Sequence, residues 1–271
     1  MPTVTSADGT TIAYETTGAH ETTGAGPALI LVDGAMCHRD FGPARSLAEA
    51  LAGTFTVHLY DRRGRGESGN TLPWSEDREI DDLAALLEAA GGEAALLGVS
   101  SGAVLAADAA NKLTGVTQLA LYEPPFIVDN TRAPREDSFV ADTEALIARD
   151  DRSGALKKFM KHVGMPAPMV HLMAMTPPWK KLKTVAPTLP YDLRILGDTG
   201  RGAPLDAARW SNVTAPALVL DGGKSPQYMR NAAKALSEAL PKAQYRTLPG
   251  QTHMVKAAAL APVVTEFLTA R

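Results

Sequence analysis

Ser100 is the residue of this chain best placed to do covalent chemistry. It stands in Gly98-Val99-Ser100-Ser101-Gly102, at the break in the stretch from Ala94 to Leu113. Before the break, short apolar residues suit a buried parallel strand; after it, an Ala/Leu-rich run has helical propensity. A strand that becomes a helix within one residue strains that residue, and glycines two before and two after let the backbone turn that tightly. The side chain at the apex then points into open space beside the first free amides of the helix, where an anion is stabilised. A serine hydroxyl is a poor nucleophile at neutral pH, so acyl transfer needs a histidine base and a carboxylate that fixes the tautomer of that base. The chain offers six histidines, and two carboxylates at strand ends, Glu123 and Asp221. A Gly/Ser turn of this kind also joins strand to helix with no chemistry at all, so the surrounding elements must carry the reading.

Those elements alternate regularly at both ends of the chain. Thr3 to Thr16 reads as a hairpin about Asp8-Gly9, and after a Gly/Thr-rich loop Pro27 to Val32 forms a buried strand. A helix from Ser46 to Ala52 and a strand from Thr54 to Tyr60 follow. Ser75 to Ala90 then sets Ile80, Leu83, Leu86 and Leu87 on one helical face, with acidic residues early in the helix. Val116 to Tyr122 is a strand stopped by Glu123-Pro124-Pro125. The alternation lapses from there to about Trp210. Helical runs near Phe139 to Arg149, Gly154 to Val163 and Ala167 to Met175 lead into a proline-punctuated stretch from Thr176 to Pro190. Regular order resumes with a strand from Ala215 to Asp221, a helix from Met229 to Leu240, a strand from Ala243 to Leu248 and a closing helix from Lys256 to Thr269.

Strand, Gly-x-Ser-x-Gly turn and helix in this order resemble the nucleophile elbow of the α/β-hydrolase superfamily, and the likeness covers nearly the whole chain. It implies an α/β fold with a mostly parallel central sheet flanked by helices and an inserted helical cap. The core would be 1–125 and 210–271, and the cap 126–209. The family's strand before the oxyanion loop ends in His-Gly, and the amide of the next residue forms half of the oxyanion hole. Here Asp33-Gly34 stands there, so the donor would be the amide of Ala35, with that of Ser101 as the second. Asp61-Arg62-Arg63-Gly64-Arg65-Gly66-Glu67-Ser68 resembles the family's DxRGxGxS turn, whose role is structural, so its arginines are assigned no chemistry. His253 occupies the place of the family's catalytic histidine. The usual acid position, in a GxxD-like pattern, holds Ser225, which cannot supply a negative charge. Some members, among them haloalkane dehalogenases and a zearalenone lactonase, take their acid from the strand after the elbow helix, which here ends in Glu123. Glu123 is preferred, and Asp221 is the alternative, lying several residues early for the usual acid.

The resemblance implies hydrolysis of a carboxylic ester, lactone or thioester through an acyl-Ser100 intermediate, with no cofactor. C–C bond hydrolysis, a cyclase or lyase reaction, and a non-catalytic receptor for a small molecule use similar residues on the same fold. A haloalkane dehalogenase is disfavoured because it needs a carboxylate at position 100. Candidate substrate-binding residues are Met36, His38, Phe126, Met169, Met173 and Trp179. Met36 flanks the oxyanion loop, Phe126 follows Glu123, and flexible thioethers and aromatics suit an apolar pocket. Specificity for a mainly apolar small molecule would then reside in the cap, and its clustered lysines read as a solvated face. His20, His58, His162 and His171 read as structural or surface residues, and Cys37 as a packed thiol. Lone Cys37 excludes an internal disulfide, and scattered histidines without HExxH argue against a metal site. A net charge of -3 offers no field for nucleic acid, and no run of ~18 apolar residues suggests a membrane span. With no signal-like amino terminus, a cytoplasmic location is expected. Oligomeric state is left open.

Overall fold

A computed structural model describes residues 1–18 and 26–270. His20 and most of the Gly/Thr-rich loop lie outside the described residues. Eight strands form one sheet in the order β1-β2-β4-β3-β5-β6-β7-β8. The antiparallel edge is β1 (Thr3–Thr5) and β2 (Thr11–Gly18), with β2 antiparallel also to β4 (Thr56–Tyr60). From β4 onward every pairing is parallel, through β3 (Ala28–Val32), β5 (Ala94–Val99), β6 (Val116–Tyr122), β7 (Ala217–Gly222) and β8 (Ala243–Leu248). This is the α/β-hydrolase fold, with a helical insertion over 139–195.

The central strands read as continuous apolar runs because helices cover both faces of the sheet. Ile30 and Val32 face the helices α2 (Glu76–Ala89), α3 (Ser101–Lys112) and α9 (Gln227–Ala239), among Leu83, Val104 and Leu236. Leu29 and Leu31 face the opposite way, toward α1 (Ala44–Leu51) and α10 (Ala257–Thr269), among Leu47, Leu260 and Val264. Ser75 caps α2, its hydroxyl accepting from the Arg78 amide at 3.4 Å, and Glu76, Asp77 and Glu79 occupy the first turn, where the helix dipole favours acids.

The insertion consists of α4 (Phe139–Ala148), α5 (Arg152–His162), α6 (Ala167–Met173), α7 (Pro178–Val185) and α8 (Leu189–Ile195). Proline punctuation between Thr176 and Pro190 does not break this stretch. The prolines sit at the start of α7, in the 3-10 turn Ala186–Thr188 and in the first turn of α8, where the missing amide hydrogen has no partner to lose. Phe139, Leu156, Phe159, Val170, Trp179, Leu182 and Leu189 make a small core of their own, and Ala35, Met36 and Phe41 pack against it from the sheet side. That contact seats the insertion over the loop after β3. No helix of the described residues is long and apolar enough to cross a membrane.

Candidate active site

Ser100 lies between β5 and α3 with φ 58° and ψ -127°, a conformation that costs a non-glycine residue roughly 1–3 kcal/mol. The neighbouring glycines make it possible. A Cβ on Gly98 would stand 2.5 Å from Cα of Ala103, and one on Gly102 2.1 Å from the Val32 carbonyl oxygen. Gly34, across the turn, is equally confined, since a Cβ there would come within 2.8 Å of Ser100 Cβ. The elbow is therefore clamped between its own helix and the end of β3. Ser100 N donates to the Tyr122 carbonyl at 2.8 Å, which brings the end of β6 alongside.

The residue after Tyr122 is Glu123, fully buried and also at positive φ (46°). Its Oε1 accepts from the Gly222 amide at 2.7 Å, and its Oε2 accepts from His253 Nδ1 at 2.8 Å. A carboxylate oxygen only accepts, so the hydrogen of this bond lies on Nδ1, and in the neutral imidazole Nε2 is then the acceptor. The loop that carries His253 is fastened to the same strand ends. Tyr122 Oη donates to the Thr252 carbonyl at 2.7 Å, and Lys224 N to the Gln251 carbonyl at 2.8 Å. Only glycine fits at 222, where a Cβ would lie 2.6 Å from the Gln251 carbonyl oxygen and 2.8 Å from Tyr122 Oη. Burial pushes the Tyr122 phenol up, with the Glu123 and Asp221 charges adding to it, so it remains a donor.

Asp221 is fully buried too, but its Oδ2 accepts from Tyr245 Oη at 2.7 Å and from Arg230 Nε at 3.1 Å. The structure brings Glu123 to His253 and leaves Asp221 on the flank of β7. Ser225, in the position where an acid was sought, is buried with its Oγ unpartnered.

The loop after β3 depends on the arginines of the turn after β4. Arg62 Nη1 donates to the Asp33 carbonyl at 3.2 Å, and Arg65 Nη1 to those of Gly34 at 2.7 Å and Cys37 at 3.3 Å. These bonds brace the backbone that carries the Ala35 amide. The Asp33 carboxyl takes no part: it is buried, its Oδ2 has no hydrogen-bond partner, and burial pushes it up to about 7 against the pull of Arg65 and Arg62. Burial, together with the charge of Asp33, pushes the Cys37 thiol up to about 12, which suits a packed thiol and not a nucleophile.

The expected pocket residues divide. Met36, with φ 63°, is half-buried against the insertion's core, and Met173 packs on the same cluster from α6. His38 is half-buried and bonds within its own loop, pairing with Phe41 through backbone hydrogen bonds. Phe126 is no pocket residue: it is fully buried in the core against Trp210, ring centroids 5.9 Å apart, because the segment after the prolines packs on the α3 side of the sheet with Val104 and Leu196. Met169 faces outward at 56% exposure, since Val170 takes the inward position on the short helix α6. Trp179 is an anchor of the insertion's own core, its Nε1 donating to Ser153 Oγ at 3.0 Å. One residue that the sequence reading passed over stands at the centre of the site: Asp192 of α8, buried, accepts from Ser101 Oγ at 2.8 Å.

A strained serine at a strand-to-helix turn, and a histidine paired with a buried carboxylate at the carboxyl ends of parallel strands, place the fold and site in a class of hydrolases. The sequence pattern of the alpha/beta hydrolase family matches residues 24–263, and the chain belongs to that family. An alpha/beta hydrolase from Sphaerobacter thermophilus is similar at 43% identity and TM-score 0.89, over 99% of this chain and 100% of that one. The enol-lactonase from Burkholderia xenovorans shares the fold at 19% identity and TM-score 0.73, over 99% of this chain and 100% of that one. A thermophilic esterase from Thermogutta terrifontis does so at 20% and 0.68, over 98% and 97%. No curated protein sequence matches.

Proposed function

We propose that the protein is a serine hydrolase that cleaves a carboxylic ester, lactone or thioester of a mainly apolar small molecule through an acyl-Ser100 intermediate. The observation that carries this reading is the 2.8 Å bond between His253 Nδ1 and Glu123 Oε2, held at the strand end next to the strained Ser100. Ser100 Oγ attacks the acyl carbon while His253 Nε2 takes its proton, and Glu123 steadies the imidazolium that forms. The amides of Ala35 and Ser101 receive the negative charge that develops on the carbonyl oxygen, each such donor contributing ~3–4 kcal/mol in comparable enzymes. The imidazolium protonates the leaving alkoxide or thiolate. Water then attacks the acyl group with His253 as base, releasing the acid and restoring the serine.

The same reading assigns 126–209 as a cap over a core made of 1–125 and 210–271. Met36 from the loop after β3 and Met173 from α6 both pack on the insertion's apolar core, which supports an apolar substrate. The enol-lactonase and the esterase share the fold only, so neither specifies the acyl group. A fluorophosphonate probe tests the mechanism. It should label Ser100, identified by peptide mass spectrometry, and Ser100→Ala should lose both labelling and hydrolysis of a chromogenic ester while keeping its circular dichroism spectrum. Labelling at another residue, or turnover by Ser100→Ala, would refute it.

A further inference from the structure

The helix α8 of the cap reaches 91 residues forward from the elbow to place Asp192 against Ser101, and both side chains are buried. Asp192 Oδ1 accepts from Ser101 Oγ at 2.8 Å and from Arg62 Nη1 at 2.7 Å, and Oδ2 accepts from Arg65 Nη2 at 2.7 Å. The same arginines hold the loop backbone: Arg62 Nη1 also donates to the Asp33 carbonyl, and Arg65 donates to the Gly34 and Cys37 carbonyls through its other terminal nitrogen, Nη1. Ser101 carries one oxyanion amide, and the loop Asp33–Cys37 carries the other at Ala35. A single carboxylate therefore touches one half of the hole directly and the other through two arginines. Arg62 is further fixed by a fork-to-fork pair with Glu79 at 2.7 and 2.9 Å, and Arg65 by Thr188 Oγ1 at 3.0 Å, so the bridge has little room to relax.

We propose that Asp192 is a positioning residue for the oxyanion hole, setting the spacing between the Ala35 and Ser101 amides and making a competent hole conditional on the docked cap. The proposal rests on the acyl-Ser100 reading. Other contacts between α8 and the core do not share this role. The Trp74 and Tyr191 rings stack at 4.8 Å and Asn70 Nδ2 donates to Tyr191 Oη at 3.1 Å, but neither pair touches the loop or the elbow. Those contacts fasten the cap, whereas Asp192 fastens the cap to the hole. Burial alone would push the Asp192 carboxyl up, and the charges of Arg65 and Arg62 outweigh it and hold it below the ordinary range, which keeps its acceptor oxygens in place.

The test compares Ser101→Ala, Asp192→Asn and the control Tyr191→Phe on a 4-nitrophenyl ester. The readouts are kcat, KM and the affinity for phenylboronic acid, which forms a tetrahedral adduct on the serine. A displaced but not deleted donor should lower kcat about 10- to 100-fold in Ser101→Ala and at least as much in Asp192→Asn, below the full loss of one donor. Boronate affinity should fall in parallel, with KM changing less than about threefold, since the hole acts on the transition state. Tyr191→Phe should leave all three unchanged. If kcat of folded Ser101→Ala stays within about threefold of the parent, or the loss falls on KM alone, the proposal is overturned. A rise in kcat for Asp192→Asn, as unpaired positive charge near the oxyanion would give, overturns it too. Should Asp192→Asn fail to fold, Ser101→Ala decides alone, because it removes one hydroxyl and leaves the ion pairs whole. If the parent protein neither hydrolyses the ester nor accepts a fluorophosphonate, the acyl-serine reading has failed, and this proposal falls with it.

Discussion

Asp33→Asn should make the protein more stable, and by an amount that grows with pH. The Asp33 carboxyl is 4% exposed, has one oxygen with no hydrogen-bond partner and is pushed up to about 7 from an ordinary 3.8. Burial is the main cause. Arg65 and Arg62 pull the other way, and Asp61 pushes with the burial. Between pH 3.8 and about 7 the folded chain therefore binds more protons at this site than the unfolded chain does, so stability is lost as pH rises through that window. At ~1.4 kcal/mol per pH unit the full cost above the window is about 4 kcal/mol, and about 2 kcal/mol of it accrues between pH ~5.5 and ~8.5. Asparagine has the same shape and no charge. Any constant difference in its hydrogen bonding shifts the comparison equally at every pH, and other titrating groups cancel between the two proteins. Urea denaturation of both proteins across that range should show the advantage of Asp33→Asn widening by about 2 kcal/mol. A gap that stays flat, or narrows, would mean that Asp33 is solvated or paired in the folded state, and the account of this loop would be wrong.

Two further outcomes follow from the site. Glu123→Gln should lower kcat by about four orders of magnitude while Asp221→Asn costs less than about tenfold, because only Glu123 can hold the His253 tautomer. Steady-state rates on a chromogenic ester check this, and the reverse ranking would move the acid to Asp221. Cys37, its thiol pushed up to about 12, should react with iodoacetamide at pH ~8 at least about a hundred times more slowly in the folded protein than in urea. Equal rates would show an accessible thiolate.

The elbow, the alternating strands and the pairing of Glu123 with His253 were legible because each rests on local order. Glycines at 98 and 102 allow one turn, and a carboxylate directly past a strand end can point only into the site or across to the next strand end. The misplaced pocket residues had no such anchor. Phe126, Met169 and Trp179 lie where the hydrophobic period is weak, and an apolar side chain there can face the cavity, the insertion's core or solvent with the same sequence signal. Packing decides among the three, and packing is a property of the whole chain.

Asp192 was illegible for a different reason: its signal is a deficit of negative charge elsewhere in the chain. Within Leu-Pro-Tyr-Asp-Leu-Arg-Ile it reads as the solvated residue of a short helix. Yet the turn after β4 buries three arginines, and a buried guanidinium left without a carboxylate carries a penalty of several kcal/mol. Arg62 pairs with Glu79 at 2.7 Å and Arg63 with Asp82 at 2.7 Å, both acids spaced three apart on the inner face of α2. Among the described residues no core carboxylate bonds Arg65, whose other partners are the Thr188 hydroxyl of the insertion and two backbone carbonyls. A third carboxylate had to come from the insertion, and Asp192 supplies it at 2.7 Å. The same deficit explains why the insertion and the loop after β3 are joined by charge and not by apolar packing alone. An insertion that completes a buried arginine cluster cannot lift without leaving the Arg65 guanidinium short of its carboxylate, and that guanidinium is the one that holds the Gly34 carbonyl beside Ser100.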